Sequence, residues 1–410
     1  MFRLSNAVRD YAWGSKTQLA EFLGRPPSGR PEAELWIGAH AGDPSRLPDG
    51  RPLGEAIADA PQEMIGSRVS DIFGDRLPFL MKVLAVDEPL SLQVHPSTER
   101  ARAGHAREND EGIPVGAPTR SYQDPWHKPE LLFALTRFEG MAGFRDVPST
   151  VELLRLLNLP WADDVAGRLE DGPAYQALEA VTTDLLALSG RGLARTLRDV
   201  GHAARHAEAR GRRTDLRHRS SGRDQHLVNR EAVRVFALLG GLAAKYPKDP
   251  GVLVALLLNH VVLAPGEAMF VNAGMIHAYT SGFGVEIMAS SDNVLRAGLT
   301  PKHRDVAELL HVTNFTPIPP PRWQSIKRTH GFIHIQPPVA EFGLTVGRPP
   351  LPPLPASGPR IVLALDGTVE VATAGQRLTL ARGEAVFVTH EDGPITVTGD
   401  GEVAVGSVPA

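Results

Sequence analysis

The sequence contains no cysteine. That excludes disulfide frameworks, thiolate zinc sites and cysteine nucleophiles, and it fits a reducing cytosol. No sign of charge is in large excess: 43 Lys and Arg against 47 Asp and Glu leave a formal net charge of −4. Such a balance gives no reason to expect nucleic acid or an anionic membrane as a partner. Long apolar runs are missing as well. The most apolar stretch, Val252–Ala264, is interrupted by Asn259 and His260 and falls short of the ~20 residues a membrane-spanning helix needs. The opening residues, Met1 to Asp10, carry no apolar core of signal-peptide length. Together these absences predict a cytoplasmic chain without a membrane segment.

Glycine and proline, by contrast, are plentiful at 40 and 35 residues, with short β-branched runs between them. That is the punctuation of strands and turns. Residues 79–95 read as two strands joined at Asp87-Glu88-Pro89. In the second, Leu90, Leu92 and Val94 alternate with Ser91, Gln93 and His95. The stretch 150–250 differs: apolar residues recur at helical spacing from Val151, over Ala174–Leu188, over Leu193–Ala209 and over Asn229–Tyr246. Within it, Arg210–Arg230 is rich in Arg, His, Ser and Gly and is expected to be a solvated loop. Strand patterning returns after Val252. The turn at Gly266-Glu267-Ala268 has a twin at Gly383-Glu384-Ala385, which points to two related barrels.

Gln93 and His95 stand two apart on one strand, so their side chains face the same way. Burying an imidazole and an amide together costs free energy unless both find partners. Glu130 leads straight into the apolar run Leu131–Ala134, and His277 follows a turn marked by Asn272 and Gly274. Two imidazoles, one carboxylate and one amide oxygen form a set that suits zinc or a similar divalent ion. Each residue alone reads as readily as a packing or surface residue, and spacing does not bring Glu130 and His277 to the other two. His105, His202, His206, His218 and His226 lie in helical or polar sequence and are assigned to no metal.

Seven segments, in order along the chain, carry a resemblance: Asp10–Gly14, Ala33–His40, Leu77–Leu84, Leu90–Pro96, His127–Glu130, Gly140–Arg145 and Ser291–Lys302. Through them the chain resembles the type I mannose-6-phosphate isomerases, zinc-dependent enzymes of the cupin family. The resemblance implies one zinc ion per chain, at Gln93, His95, Glu130 and His277. It implies an aldose–ketose isomerase that moves a proton between C1 and C2 of a sugar phosphate. Glu286 is the expected proton carrier, although an ion pair with Arg296 is an equal reading of that carboxylate. Lys128 is expected beside the metal as a source of positive charge. Arg296 and Lys302 are the candidates for phosphate, with Ser91 adding a hydroxyl. Trp13, Lys82, Tyr279 and Asp292 fall in or beside the matched segments and are expected to line the pocket.

The expected fold is mostly β with a helical insertion: two cupin (double-stranded β-helix, jelly-roll) barrels plus an α-helical domain. Residues 1–149 and 251–320 would form the metal-bearing barrel, 150–250 the helical insertion and 321–410 the second barrel. The expected partner is a small sugar phosphate, with no nucleic acid or membrane, and the chain is expected to be a monomer. An iron oxygenase of the same fold, a sugar-phosphate sensor and a glucose-6-phosphate isomerase remain as rival readings. Gln93 as a fourth ligand argues against the first, and Glu286 and Lys128 argue against the second.

Overall fold

The computed structural model describes residues 1–217, 223–323, 326–327 and 331–409, with the side chains of 213–217, 223–229 and 326–327 left out. Two large antiparallel sheets dominate the strand regions. The first has eleven strands, and its main path runs Arg322–Trp323, Ala268–Val271, Glu130–Ala134, His277–Ala289, Phe79–Val86, Glu34–Gly38, Ala7–Arg9. The 13-residue strand His277–Ala289 is its spine. The second half of that strand pairs with Phe79–Val86 on one side and Glu130–Ala134 on the other. Its first half pairs with Phe138–Phe144 and touches Leu92–Val94, which in turn pairs with Leu295–Gly298. A register shift between Tyr279 and Ser281 separates the halves, and bulges of this kind bend a strand.

The second sheet has seven strands and gathers the end of the chain: Phe2–Leu4, Ala385–Val388, Arg360–Asp366, Glu402–Ser407, Gly343–Gly347, Phe332–Ile335 and Ile326–Lys327, in that order. It packs face to face on the first. Period-two alternation explains how. Phe79, Met81, Val83 and Ala85 point into a shared core with Leu131, Phe133, Val285 and Ile287, against Phe342, Leu344, Ile361, Leu363 and Phe387 of the second sheet. Each fully buried large side chain there contributes on the order of 1.5–3 kcal/mol of transfer free energy. The residues between them, Lys82, Glu130 and Glu286, therefore face the other way.

The repeated Gly-Glu-Ala turns share backbone setting and hydrogen bonds. Gly266 and Gly383 have φ of +85° and +83°, a backbone setting that L side chains rarely adopt. Glu267 accepts the Ala264 N–H and Glu384 accepts the Ala381 N–H, each at 2.8 Å. Gly266 N–H bonds the Ala134 carbonyl at 2.8 Å, and Gly383 N–H bonds the Ala364 carbonyl at 2.9 Å.

Helix and strand make up 32% and 28% of the chain, so it is a mixed α/β protein and the expectation of a mostly β one is corrected. Part of the excess helix lies outside the 150–250 stretch. Leu53–Asp59, Ser67–Phe73, Thr98–Asp110 and Val306–Val312 are helical. Thr98–Asp110 escapes an apolar-period reading because it buries only Ala101, Gly104 and Glu108; Ser97 caps it by accepting the Arg100 N–H at 3.2 Å. The expected loop Arg210–Arg230 is also corrected. The helices Gly190–Arg217 and Arg223–Lys245 take up most of it, and only residues 218–222 lie outside the described residues. The charged composition that suggested a loop belongs instead to a strongly amphipathic pair, whose apolar stripe includes Leu197, Val200, Ala204, Val235, Phe236 and Leu239.

Candidate metal centre and active site

Strand register brings the distant residues together. His277 lies opposite Gln93, and Gln93 opposite Arg296. Glu286 lies opposite Lys82 on one neighbour, and Met288 lies opposite Glu130 on the other. Residues directly opposite share a face and approach within about 5 Å. One pocket-facing surface thus carries Glu34, Trp36, Lys82, Gln93, Glu130, Tyr279 and Glu286, around a cavity of about 530 Å³.

His95, Glu130 and His277 are buried, and their ligand atoms lie within 4.8 Å of one another. His95 Nδ1–H donates to the Asn293 carbonyl at 2.7 Å, and His277 Nδ1–H to the Met275 carbonyl at 3.0 Å. A carbonyl only accepts, so both tautomers are fixed and each Nε2 turns a lone pair inward. Those nitrogens lie 3.2 and 3.3 Å from the two Glu130 oxygens. Burial pushes the His95 imidazolium pKa down to about 4, so the ring is neutral near pH 7. Acceptor faces acceptor, and His95 Nε2 and Glu130 Oε2 have no hydrogen-bond partner. A divalent cation between them would relieve that arrangement. The Gln93 amide nitrogen is 3.4 Å from His277 Nε2, close enough for the amide to offer its oxygen after a flip. The donor set fits zinc.

Across the cavity Glu286 meets Lys82 at 3.1 Å, and Glu34 reaches the same ammonium at 3.9 Å. The ion pair expected with Arg296 is corrected: Glu286's cationic partner is Lys82, because their strands run side by side in register. Burial raises the pKa of the Glu286 carboxyl, Lys82 opposes the shift, and Glu130 and Glu34 add to it. For Lys82 burial works downward, but three carboxylates around it hold the ammonium far above its ordinary value. Lys128 lies 3.5 Å from Glu130, on the loop just before that residue.

Arg296 and Lys302 line the same cavity, and neither forms an ion pair with a carboxylate among the described residues. Burial lowers the pKa of each, and for Lys302 the nearby Arg296 adds to the effect. Two unpaired cations in a half-buried place suit an anion. Ser91, Trp13, Tyr279 and Asp292 also line the cavity. The Tyr279 hydroxyl is fully buried, and burial drives its pKa well above the usual value. Asp292 meets His40 at 3.3 Å. The sequence reading missed several lining residues: Glu34, Trp36 and His40 on one strand and its exit, and Lys245 and Tyr246 at the end of the helix Arg223–Lys245. Glu34, Trp36 and His40 sat inside a quoted segment, Ala33–His40, where alternation singles out Glu34 and Trp36. Nothing in the helical pattern marked Lys245.

Residues 1–147 match the family model described as phosphomannose isomerase type I, catalytic domain, and residues 359–408 match that of the mannose-6-phosphate isomerase cupin domain. The mannose-6-phosphate isomerase of Salmonella typhimurium is 36% identical over 98% of this chain and 98% of its own. The chain belongs to the type I phosphomannose isomerase family. The Bos taurus mannose-6-phosphate isomerase is 34% identical, over 95% of this chain and 93% of that one. Among solved structures of phosphomannose isomerases, the Salmonella typhimurium enzyme bound to fructose 6-phosphate and zinc superposes with a TM-score of 0.86 at 35% identity, covering both chains fully. Among the described residues, no helix is long and apolar enough to cross a membrane.

Proposed function

We infer that this chain interconverts D-mannose 6-phosphate and D-fructose 6-phosphate, with one zinc ion held by Gln93, His95, Glu130 and His277. The observation that carries the reading is a buried carboxylate–ammonium pair, Glu286 and Lys82, facing a His-Glu-His cluster across one sugar-sized cavity. The zinc-bound relative holding fructose 6-phosphate supports the substrate class. Zinc, when bound, supplies Lewis-acid charge to sugar oxygens.

Glu286 does the proton work. Its raised pKa keeps its basicity nearer to neutral pH than that of an ordinary glutamate. It takes the C2 proton of the open-chain aldose, leaving an enediolate; a proton passes from O2 to O1, and Glu286 returns its own proton to C1 to give the ketose. Lys82 holds Glu286 in place and limits how far its pKa rises. Lys128 sets an ammonium where negative charge develops on the sugar oxygens. Arg296 and Lys302 bind the phosphate, with Ser91 as a hydroxyl donor, while Trp13, Tyr279 and Asp292 shape the cavity.

We read residues 1–149 and 251–320, which supply every strand of the eleven-stranded sheet except the edge strand Arg322–Trp323, as the metal-bearing cupin barrel. Residues 150–250 are the helical insertion, and 321–410 a second cupin-like barrel. The matched turns at Gly266 and Gly383 support that pairing. The enzyme is read as cytoplasmic and monomeric. The deciding test is isomerase activity on mannose 6-phosphate before chelation, after it, and after zinc is restored. Loss and recovery are expected; a zinc-loaded protein inert toward mannose 6-phosphate would overturn the substrate assignment and leave the fold.

A further inference from the structure

The loop Asp124–Pro129 carries Lys128 and ends at Glu130. On its inner side it is tied to Ala289–Asn293. The Asn293 amide donates to the carbonyls of Asp124 and Trp126 at 2.7 and 2.8 Å, and the Ser291 hydroxyl donates to Asp124 at 2.8 Å. On its outer side a residue from the far end of the chain takes hold. Glu341, between the strands Phe332–Ile335 and Gly343–Gly347, accepts the His127 Nε2–H at 2.7 Å. Glu341 is 8% exposed. Burial works against its ionisation, but the His127 contact and the backbone N–H groups of Ala340 and Glu341 together hold the carboxyl below its usual range. Next to it, Arg76 stacks 4.1 Å over the Trp126 ring and donates to the Ser290 carbonyl at 3.2 Å. A buried carboxylate from the connection between two strands of the second sheet therefore grips the loop that carries Lys128 to the cavity.

We propose that Glu341 is a positioning residue for the reaction, acting through His127 to fix the direction of the Lys128 ammonium. The proposal rests on the isomerase reading for its kinetic effect and stands apart from it for its structural one. The test uses the full zinc-loaded chain, assayed well below its melting midpoint. Glu341→Ala is expected to lower kcat on the order of tenfold or more with KM within about twofold, the scale that small misplacement of a reacting group costs. Glu341→Gln, which keeps the size and an acceptor oxygen, is expected to recover most of that loss. In a His127→Ala background, Glu341→Ala is expected to add nothing.

A readout without turnover completes the test. Acylation of Lys128 by acetic anhydride, followed by peptide mass spectrometry, is expected to speed up several-fold in Glu341→Ala while Lys82 stays protected. An unchanged kcat with unchanged Lys128 labelling would overturn the proposal. So would a kcat loss of the same size with and without His127. Wild-type protein inert on mannose 6-phosphate, but with Lys128 labelling still dependent on Glu341, would remove the substrate reading and keep the positioning role.

Discussion

Glu286 and Lys82 are balanced against each other in a place where neither charge is cheap to hold alone. Glu286→Gln keeps the shape and removes the base. We expect zinc content and KM to be retained and kcat to fall by a factor on the order of 10² to 10⁴, the usual contribution of a positioned general base. Near-normal turnover would take Glu286 out of that role. The pH dependence follows from the direction of the shift. Because burial raises this carboxyl, the acid limb of kcat is expected above the pH at which an ordinary glutamate ionises. Lys82→Met removes the nearest positive charge and leaves Glu34 and Glu130 to repel ionisation. The limb should then move to higher pH, and a pH–rate profile of both proteins reads this directly. His277→Ala is expected to cut bound zinc sharply, measured by metal analysis after dialysis; full occupancy would sink the ligand assignment. At this scale His95, Glu130 and His277, which the fold brings within reach of one another, could be named only through the family resemblance, since each alone reads as readily as a packing residue. The Lys82–Glu286 pair was not legible. It depends on a register between residues 204 apart, which no local pattern encodes.

Secondary-structure elements meet at positions where a single atom decides. Gly104 lies in the helix Thr98–Asp110, and a Cβ there would fall 2.3 Å from the ring of Tyr122. That ring is fully buried, and its hydroxyl donates to Glu308, which Arg100 also grips at 2.6 Å. Alanine is the better helix former by roughly 1 kcal/mol, but overpacking a filled site costs about 1–3 kcal/mol. Crowding wins, so Gly104→Ala is expected to lower the melting temperature, measured by calorimetry. A second contact joins strands: His260 donates to Glu139 at 3.3 Å and, as the largest cause, pulls its pKa down to about 2. A carboxylate depressed on folding contributes stability above pH 4.5 that is lost as the pH falls toward 2. Glu139→Gln should therefore lose stability relative to wild type near neutrality, and the gap should close in acid. The elements themselves were partly legible. Apolar periodicity found helices at Val151, Ala174 and Leu193. It missed Thr98–Asp110, where charged residues fill the exposed face and little apolar surface is buried.

At the scale of the whole molecule, the pocket-bearing sheet has no solvent face to spare. Phe79, Met81, Val83, Val285 and Ile287 rest on the second sheet, and a Cβ at Gly406 would come within 2.8 Å of Met81. A chain ending at residue 320 would expose that whole apolar face. It is expected to be insoluble or molten although it keeps every metal ligand, a result that solubility and near-ultraviolet circular dichroism would check. Sequence alternation pointed to strands here, and the repeated turn pointed to two similar units. What composition could not convey is that the two sheets share one core, because that depends on contacts made between residues hundreds of positions apart.

The strand Phe2–Leu4 pairs with Ala385–Val388. During synthesis, Phe2–Leu4 must wait for Ala385–Val388 to emerge before that ladder can form. Closing so long a loop costs several kcal/mol of chain entropy, on the order of 5 by the logarithmic rule. Until then the emerging chain carries an unpaired β edge and an uncovered apolar sheet. The most vulnerable interval of this fold is therefore the one before Ala385–Val388 have emerged.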